Sequence, residues 1–303
     1  MAATYDSAAT TSFDSTTTTS LSAALNGKRF FCSWSGGKDS CLSLYRAVQA
    51  GGIPAALLTM MTEGGERSRS HGLGTEIIRA QAGALGIPLV TRSASWGTYE
   101  GVFREAVREF AERGITTGVF GDIDLEEHRE WCVRVCREAG VRVCREAGAR
   151  VCREAGMKAG IGAGPVAQGG DQRGDQGGVA DVQGDAQAGV RAVHPLWKME
   201  RIDVVREFLN AGFQAYIVAM KDGLGGDGAY GKGTADELPT LLGTPFDLHA
   251  VDSMVRHGID ACGESGEFHT VVTGGPLFRR PIHLRFGEPV LRDGYWFVDA
   301  TLE

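Results

Sequence analysis

Two short stretches of the chain combine flexible backbone with reactive side chains, and the first lies near its start. The apolar run Phe30–Trp34 leads directly into Ser35-Gly36-Gly37-Lys38-Asp39-Ser40, and helix-compatible residues follow. This pattern predicts a strand, a tight loop and a helix. The two glycines allow consecutive N–H groups to point into one concavity at the positive end of the helix. We expect this loop to bind phosphate.

The side chains of this loop suit the same ligand. Lys38 adds a mobile positive charge, and Ser35 and Ser40 add hydroxyl donors. Asp39 is predicted either to cap the helix or to hold Mg²⁺ beside the phosphates. The simpler interpretation is an ordinary glycine turn capped by Asp39. The spacing also differs from that of the G-x-x-x-x-G-K-[ST] phosphate loop.

The second stretch is Cys262-Gly263-Glu264-Ser265-Gly266-Glu267-Phe268-His269-Thr270. Two carboxylates, Glu264 and Glu267, stand beside glycines, and His269 follows the second. Carboxylates next to flexible backbone bind amines or metal ions, and histidine transfers protons near neutral pH. Taken alone, the stretch is more typical of a glycine turn with exposed acids.

Strand and helix patterns alternate through the first half of the chain. After the first strand and loop, strands are predicted over 53–61, 87–91 and 118–121, and helices over 39–50, 75–85 and 99–113. This alternation predicts a parallel α/β sheet, in which ligands bind at the carboxyl ends of the strands. We therefore expect the glycine loop, residues 62–72 and Gly121-Asp122 to lie at one edge of that sheet.

The remaining segments are less regular. Residues 1–27 are rich in Ser, Thr and Ala and are predicted to be a disordered tail. An octapeptide repeat over 133–156 is expected to lengthen a surface helix, on which its cysteines drift around the axis and form no metal site. Residues 160–190 are predicted to be a disordered insertion. Further on, we expect a helix over 203–211, a strand over 214–220, a glycine-dense loop over 221–233, a helix over 246–257 and a hairpin at 292–294.

Net charge, cysteine spacing and the length of apolar runs narrow the classes of function that fit this sequence. The net charge of −7 gives no indication of a general nucleic-acid surface, so a small-molecule or protein substrate is the easier expectation. The seven cysteines include no C-x-x-C pair, which argues against the common zinc, thioredoxin and iron–sulfur motifs. No apolar run is long enough to span a membrane and the amino terminus resembles no secretory signal, so we expect a cytoplasmic protein.

Several motifs occur in one order along the chain and together resemble a known family. Between the two stretches lie Gly118–Ile123, His194–Trp197 and Gly212–Ala215. The loop itself matches the S-G-G-K-D-S pyrophosphate loop of the ATP pyrophosphatases at six consecutive positions. The set resembles the diphthine ammonia ligase family, the diphthamide-synthesis type of ATP pyrophosphatase, and is closest to its short bacterial-type members. The resemblance runs from about Lys28 to Phe278.

The resemblance implies a fold and a division into domains. The fold is a three-layer α/β/α parallel sheet of the HUP type, similar to the adenine nucleotide alpha hydrolases. This ATP-binding domain would occupy residues 28–200. A smaller α+β carboxyl-terminal domain, residues 201–303, would close the site.

The resemblance also implies ATP-dependent amidation with ATP, Mg²⁺ and ammonia. A substrate carboxylate attacks the α-phosphate, pyrophosphate leaves into the Ser35–Ser40 loop, and ammonia displaces AMP. Lys38 and Asp39 would act on the phosphates, with Asp39 as a Mg²⁺ ligand, while Glu264, Glu267 and His269 orient the acceptor or deprotonate ammonium. The acceptor would be diphthine on elongation factor 2 if the source makes diphthamide, and otherwise another carboxylate.

Nucleotide contacts are assigned by the same resemblance to Thr59, His71, Gly72, Gly121 and Asp122. His71 is equally expected to be a structural hydrogen-bonding residue, and His128 and His194 are expected to belong to the scaffold.

Two other classes of function stay open. A tRNA-modifying ATP pyrophosphatase would share the loop, although such enzymes usually carry a basic surface or paired cysteines. A non-catalytic adenine-nucleotide-binding protein would bind ATP or AMP without releasing pyrophosphate. A glutamine-dependent amidotransferase is less expected, because the chain begins Met1-Ala2 and no glutaminase-sized domain is present. A dimer is one expected oligomeric state.

Overall fold

The computed structural model describes residues 15–140, 189–224 and 238–303. Within these residues, five parallel strands form one sheet in the order β3-β2-β1-β4-β5. The strands are β1 (Arg29–Ser33), β2 (Ile53–Met61), β3 (Leu89–Ser93), β4 (Thr117–Val119) and β5 (Arg191–Val193). Because the strand order reverses direction at β1, the chain winds to both sides of that strand.

Helices cover both faces of this sheet. They are α2 (Lys38–Gln49), α3 (Thr75–Leu85), α4 (Tyr99–Glu112) and α5 (Glu126–Ala139). Successive β1 side chains point to opposite faces: Phe30 and Cys32 pack in the cluster that contains α2 and α3, and Phe31 packs with α4 and α5. Phe31 stacks on Phe110 of α4 at 4.9 Å between ring centroids. The predicted α/β/α layers are therefore confirmed.

The carboxyl-terminal part forms a second, antiparallel sheet in the order β7-β6-β9-β8. Its strands are β6 (Gln214–Lys221), β7 (Phe268–Gly274), β8 (Leu284–Arg292) and β9 (Tyr295–Leu302), accompanied by α6 (Arg201–Asn210), a short 3₁₀ helix (Leu238–Leu241) and α7 (Leu248–Arg256). The hairpin between β8 and β9 turns at Asp293 and Gly294, both with positive φ. This region has the predicted α+β character.

One hydrophobic core joins the two sheets. Buried side chains of α2 and α3 belong to the same cluster as those of β6, β7, α6 and α7. At the contact, the amide of Val272 in β7 donates to the carbonyl of Gly36 at 2.9 Å. The carboxyl-terminal sheet is thus packed directly on the glycine loop, because its strand β7 runs alongside the start of α2.

The structure corrects the expected tail and insertion. Ser15–Leu25 is a helix, α1, and Leu21, Ala24 and Leu25 are buried in the core. Residues 15–25 are therefore not disordered, because two leucines four residues apart give the helix an apolar face. Val190 is also buried, beside α5, so the predicted insertion ends before it. Residues 1–14 lie outside the described part.

Other differences are smaller. Strand β3 begins two residues later than expected, and β7 was not predicted as a strand. Helix α5 ends at Ala139 and the first repeat cysteine, Cys136, is fully buried, so this part of the helix is not a surface element. The later repeats, the rest of the 160–190 insertion and residues 225–233 of the glycine-dense loop lie outside the described residues. No helix in the described part is long and apolar enough to cross a membrane.

Candidate active site

The glycine loop lies where the parallel sheet reverses its strand order. Residues 34–37 follow β1, and residues 120–125 follow the neighbouring strand β4. Helices α2 and α5 leave these two strands toward opposite faces of the sheet, so the space between the loops is the expected position of a ligand crevice. The predicted edge of the sheet is therefore the place where polar side chains gather.

The glycine loop is held from three sides. Gly36 has φ of +86°, in the left-handed region that favours glycine, and an added Cβ would stand 2.7 Å from Leu73 Cδ1. Its carbonyl accepts hydrogen bonds from Gln81 Nε2 at 2.9 Å and from the Val272 amide. Gln81 also accepts from the indole of Trp34 at 3.0 Å. The turn is fixed by α3 and β7 as well as by its own sequence.

At the next position the backbone is equally confined. A Cβ on Gly37 would collide with Cε1 of His71, and the His71 ring is anchored because its Nδ1 lies 2.8 Å from the carbonyl oxygen of Thr270. The hydroxyls of Ser35 and Ser40 are 3.0 Å apart, and the Gly37 amide donates to Ser35 Oγ at 3.3 Å. The predicted cradle therefore has its glycines and hydroxyls in one place.

Lys38 is buried, and its ammonium group contacts two partners. The residue is 3% exposed, and its Nζ donates to Asp39 Oδ2 at 2.9 Å and to the carbonyl of Cys262. Burial alone would lower the pKa of Lys38, but the neighbouring carboxylate of Asp39 raises it above its ordinary value. Lys38 therefore carries its positive charge in a defined position beneath the loop.

Asp39 does not cap α2. The residue preceding the helix is Gly37, which has no side-chain cap, and Asp39 lies in the first turn. One carboxylate oxygen pairs with Lys38, whereas Oδ1 is buried and has no hydrogen-bond partner among the described residues. A carboxylate oxygen without a donor in a phosphate cradle suits a hard cation such as Mg²⁺. The donor set therefore fits the predicted metal.

Glu264 joins the Cys262–Thr270 stretch to the loop after β4. Its Oε1 accepts hydrogen bonds from the amides of Ile123 at 3.0 Å and Asp124 at 3.4 Å, in the loop after β4. Burial raises the pKa of Glu264 to about 7, reinforced by the charges of Asp39 and Asp122 and opposed by those two amides. The carboxyl group thus changes its charge close to neutral pH.

The two histidines form a pair. The rings of His71 and His269 lie 4.6 Å apart between centroids. Burial lowers the pKa of His71 to about 4 and that of His269 well below its ordinary value, and the charge of Lys38 contributes to both. Burial therefore favours the neutral form of both rings at pH 7, and the role of His269 in orienting the acceptor or deprotonating ammonium stays a prediction.

Glu267 stabilises the turn to which it belongs, because its Oε2 accepts a hydrogen bond from the amide of Ser265 at 3.0 Å. Thr59 is buried, and its hydroxyl donates to the carbonyl of Trp34 at 2.8 Å, so its side chain supports the strand end. Gly72 has φ of +64° beside Phe297. A Cβ on Gly121 would meet the Ser40 amide nitrogen at 3.0 Å, which shows how closely the loop after β4 approaches α2.

Asp122 faces away from this group. Its Oδ2 lies 3.4 Å from His194 Nε2 and 3.7 Å from Cys132 Sγ. Its other oxygen lies 3.6 Å from His128 Nδ1. The predicted residues therefore fall into two neighbouring sets, one around Lys38 and one around Asp122.

Three residues that position the site were not predicted. The hydroxyl oxygen of Thr270 accepts a hydrogen bond from the Lys38 amide at 3.1 Å. The side-chain amide of Gln81 joins the glycine loop to the carbonyl of Val272. The guanidinium group of Arg201 donates hydrogen bonds to Asp124 at 2.9 Å and to Asp260 at 2.7 Å, and so links the loop after β4 to the segment before Glu264. Only Thr270 carried a signal, because it ends the second motif.

Family comparisons match both parts of the chain. The model described as the diphthamide synthase N-terminal domain matches residues 28–143, and the one described as the diphthamide synthase C-terminal domain matches residues 200–301. The matched ranges include the glycine loop and the Cys262–Thr270 stretch.

Curated relatives carry one name. The diphthine–ammonia ligase of Homo sapiens is 28% identical over 107 residues, which cover 35% of this chain and 37% of the human protein. The match therefore spans little more than a third of that relative's length. The diphthine–ammonia ligase of Danio rerio is 23% identical over 264 residues, which cover 85% of this chain and 86% of the fish protein.

Proposed function

The chain belongs to the diphthamide synthase family, and we propose that it is an ATP-dependent ligase that joins ammonia to a substrate carboxylate. The observation that carries this proposal is the direct contact between the two motifs. Lys38 of the glycine loop bonds to Thr270 through its amide and to the Cys262 carbonyl through its ammonium group. A phosphate cradle and a carboxyl-rich loop thus share one crevice.

ATP would bind with its phosphates at the Gly36–Ser40 backbone. The positive end of α2 and the ammonium group of Lys38 supply positive potential there. Asp39 would hold Mg²⁺ through its free oxygen, and that ion would neutralise charge on the phosphates. The predicted nucleotide contacts of Thr59, His71, Gly72 and Gly121 belong to this proposal. Asp122 would lie near the nucleotide, with its side chain toward His194 and Cys132.

The reaction has two bond exchanges. A carboxylate oxygen of the acceptor bonds to the α-phosphorus while the bond to the β-phosphate oxygen breaks, so pyrophosphate leaves with its electron pair. Ammonia then bonds to the acyl carbon, and AMP leaves. The fixed charge of Lys38 stabilises the departing pyrophosphate, because it needs no reorganisation at the moment of reaction.

Glu264 is the proposed base. Ammonium must lose a proton to become a nucleophile, and a carboxyl group with a pKa of about 7 is ionised and still basic in the neutral range. The neutral rings of His71 and His269 line the same region and would orient the acceptor by hydrogen bonds. Glu267 would act only indirectly, by shaping the turn that presents Glu264.

The acceptor is proposed to be a carboxylate of the diphthine type, which is what the relatives' name describes, and the donor to be free ammonia. The test is incubation of the full chain with ATP, Mg²⁺, ammonium and a panel of carboxylates that includes diphthine-bearing elongation factor 2. AMP and pyrophosphate in equal amounts, with an amide product, support the proposal. ADP with phosphate would refute it, and ATP binding without turnover would favour a nucleotide-binding protein.

A further inference from the structure

A second cluster of polar side chains lies beside the crevice, on the side of α5. Asp122 from the loop after β4, Cys132 from α5 and His194 from the end of β5 bring their ligand atoms within 4.8 Å of one another. Cys132 and His194 are almost fully buried, and Asp122 is largely covered. We call these three residues the Asp122 cluster.

Two of the three distances in the Asp122 cluster match a coordination shell, and all three ligand atoms lie within 4.8 Å of one another. Asp122 Oδ2 lies 3.4 Å from His194 Nε2 and 3.7 Å from Cys132 Sγ. A tetrahedral zinc ion with bonds of about 2.0–2.3 Å places neighbouring ligand atoms about 3.3–3.7 Å apart. We propose that Asp122, Cys132 and His194 bind a divalent transition-metal ion of the zinc type, separate from the Mg²⁺ expected with ATP.

The state of His194 supports a metal. Its side chain is 1% exposed, and Nε2 has no hydrogen bond of acceptable geometry to any described residue although it faces Asp122. The ring is held flat against Phe120 at 5.4 Å between centroids. Burial lowers the pKa of His194, so the imidazole is neutral and, with its proton on Nδ1, presents a lone pair at Nε2. A buried polar atom normally has a partner, and a metal would supply one.

The sulfur ligand selects the metal class. Thiolate and imidazole favour zinc and similar ions over Mg²⁺, which prefers oxygen. Burial raises the pKa of Cys132, so the metal must displace the thiol proton, which leaves to solvent as the metal–sulfur bond forms. His128, exposed and 3.6 Å from the second oxygen of Asp122, stands on the open side, where a fourth ligand or water would bind.

Such an ion would stabilise the ligase site without taking part in its chemistry. It would tie the loop after β4 to α5 and β5, and the next two residues of that loop, Ile123 and Asp124, hold Glu264. The proposal does not depend on the ligase reaction, because metal binding is measured directly.

The test measures metal content and cobalt binding on the full chain. Protein purified without chelator is analysed for zinc, then stripped and titrated with Co²⁺, whose visible spectrum reports tetrahedral geometry and thiolate bonding. We expect one metal per chain and a thiolate-to-cobalt band that is lost in Cys132→Ser. The matched control is Cys136→Ser, one turn further along α5 and equally buried, which should keep the band. A band that persists in this control excludes Cys136 as the thiolate ligand, and loss of the band in Cys132→Ser shows that the other cysteines alone do not produce it.

His194→Gln gives an independent reading if Cys132→Ser does not fold, as judged by circular dichroism. It should weaken Co²⁺ binding at least about tenfold while preserving the fold. A band that persists in Cys132→Ser, or a chain that binds neither zinc nor Co²⁺, would overturn the proposal. Loss of ATP turnover in a variant that still binds metal would concern the ligase proposal alone.

Discussion

The two halves of the crevice are built in different ways. The phosphate half, Ser35–Ser40, carries its binding groups on six consecutive residues and contains the positive charge of Lys38, although distant Gln81 and Val272 also hold its turn. The carboxylate half, Asp260–Thr270, is acidic and takes its shape from distant partners, since Glu264 bonds to amides 141 and 140 residues away. Binding groups on consecutive residues suit a ligand that many proteins share, whereas a carboxyl group placed by a remote loop can be specific for one acceptor.

This difference predicts separate effects of substitution in each half, and the largest should come from the phosphate half. Lys38→Met keeps the buried stem beside Phe268 but removes the charge. Because that charge is fixed where pyrophosphate would leave, we expect turnover to fall by about 100- to 1,000-fold. Release of pyrophosphate from ATP measures the effect.

Lys28→Ala is the matched control, because it removes the same charge from an exposed position before the opposite end of β1. It should leave turnover unchanged. If Lys38→Met retained turnover within about threefold of the unaltered chain, the ligand of the loop would not be the leaving group.

The carboxylate half should respond through pH. Glu264→Gln keeps the oxygen that accepts from Ile123 but cannot take up a proton, so we expect turnover about 100-fold lower, with an unchanged KM for ATP. In the unaltered chain, turnover should rise as pH increases through about 7, because the ionised carboxylate is the base. The rise should disappear in the variant. A pH profile of kcat at saturating ammonium provides the measurement.

The Glu264 carboxyl group should lower the stability of the folded chain as pH rises, whereas it raises turnover over the same range. Its folded pKa lies above the unfolded value, so the folded chain binds more protons between pH 4.5 and about 7, and stability falls as pH rises through that window. Partial exposure limits the effect to about 1 kcal/mol. Thermal unfolding of the unaltered chain and of Glu264→Gln should diverge by this amount, and parallel curves would place the pKa of Glu264 near its ordinary value.

A steric change tests whether the two halves are coupled. Gly37→Ala places a methyl group against His71, whose ring is anchored to Thr270 in the other half. We expect activity about tenfold lower, with changes in KM for both ATP and acceptor. Gly83→Ala, where a Cβ meets no atom, should instead stabilise α3 by about 0.5–1 kcal/mol. An effect of Gly37→Ala on ATP alone would show that the halves act independently.

The same contrast explains what could be predicted from the sequence. The glycine loop, the parallel sheet and the β8–β9 hairpin follow from local patterns, such as an apolar run before paired glycines. The contacts of Gln81 with Val272 and of Lys38 with Thr270 join residues 191 and 232 positions apart, and no local pattern encodes such registers. The buried helix α1 was missed because its few large side chains stabilise it only by packing against the core, which the local sequence does not reveal.

The smallest effect should come from Arg201, which joins the carboxylate half to the loop after β4. Arg201 holds Asp124 and Asp260 with two separate nitrogens, and Asp260 in turn accepts the amides of Cys262 and Glu264. Arg201→Lys keeps the charge but cannot span both carboxylates, so we expect about 1 kcal/mol less stability and a KM for the acceptor about threefold higher. Arg206→Ala, which breaks an exposed pair on the same helix, should change neither by a measurable amount. Thermal unfolding and acceptor titrations at saturating ATP distinguish the two variants. Because the side-chain hydrogen bonds of Arg201 run to the carboxylate half and to the loop that supports it, a change in KM for ATP would contradict the division of the crevice.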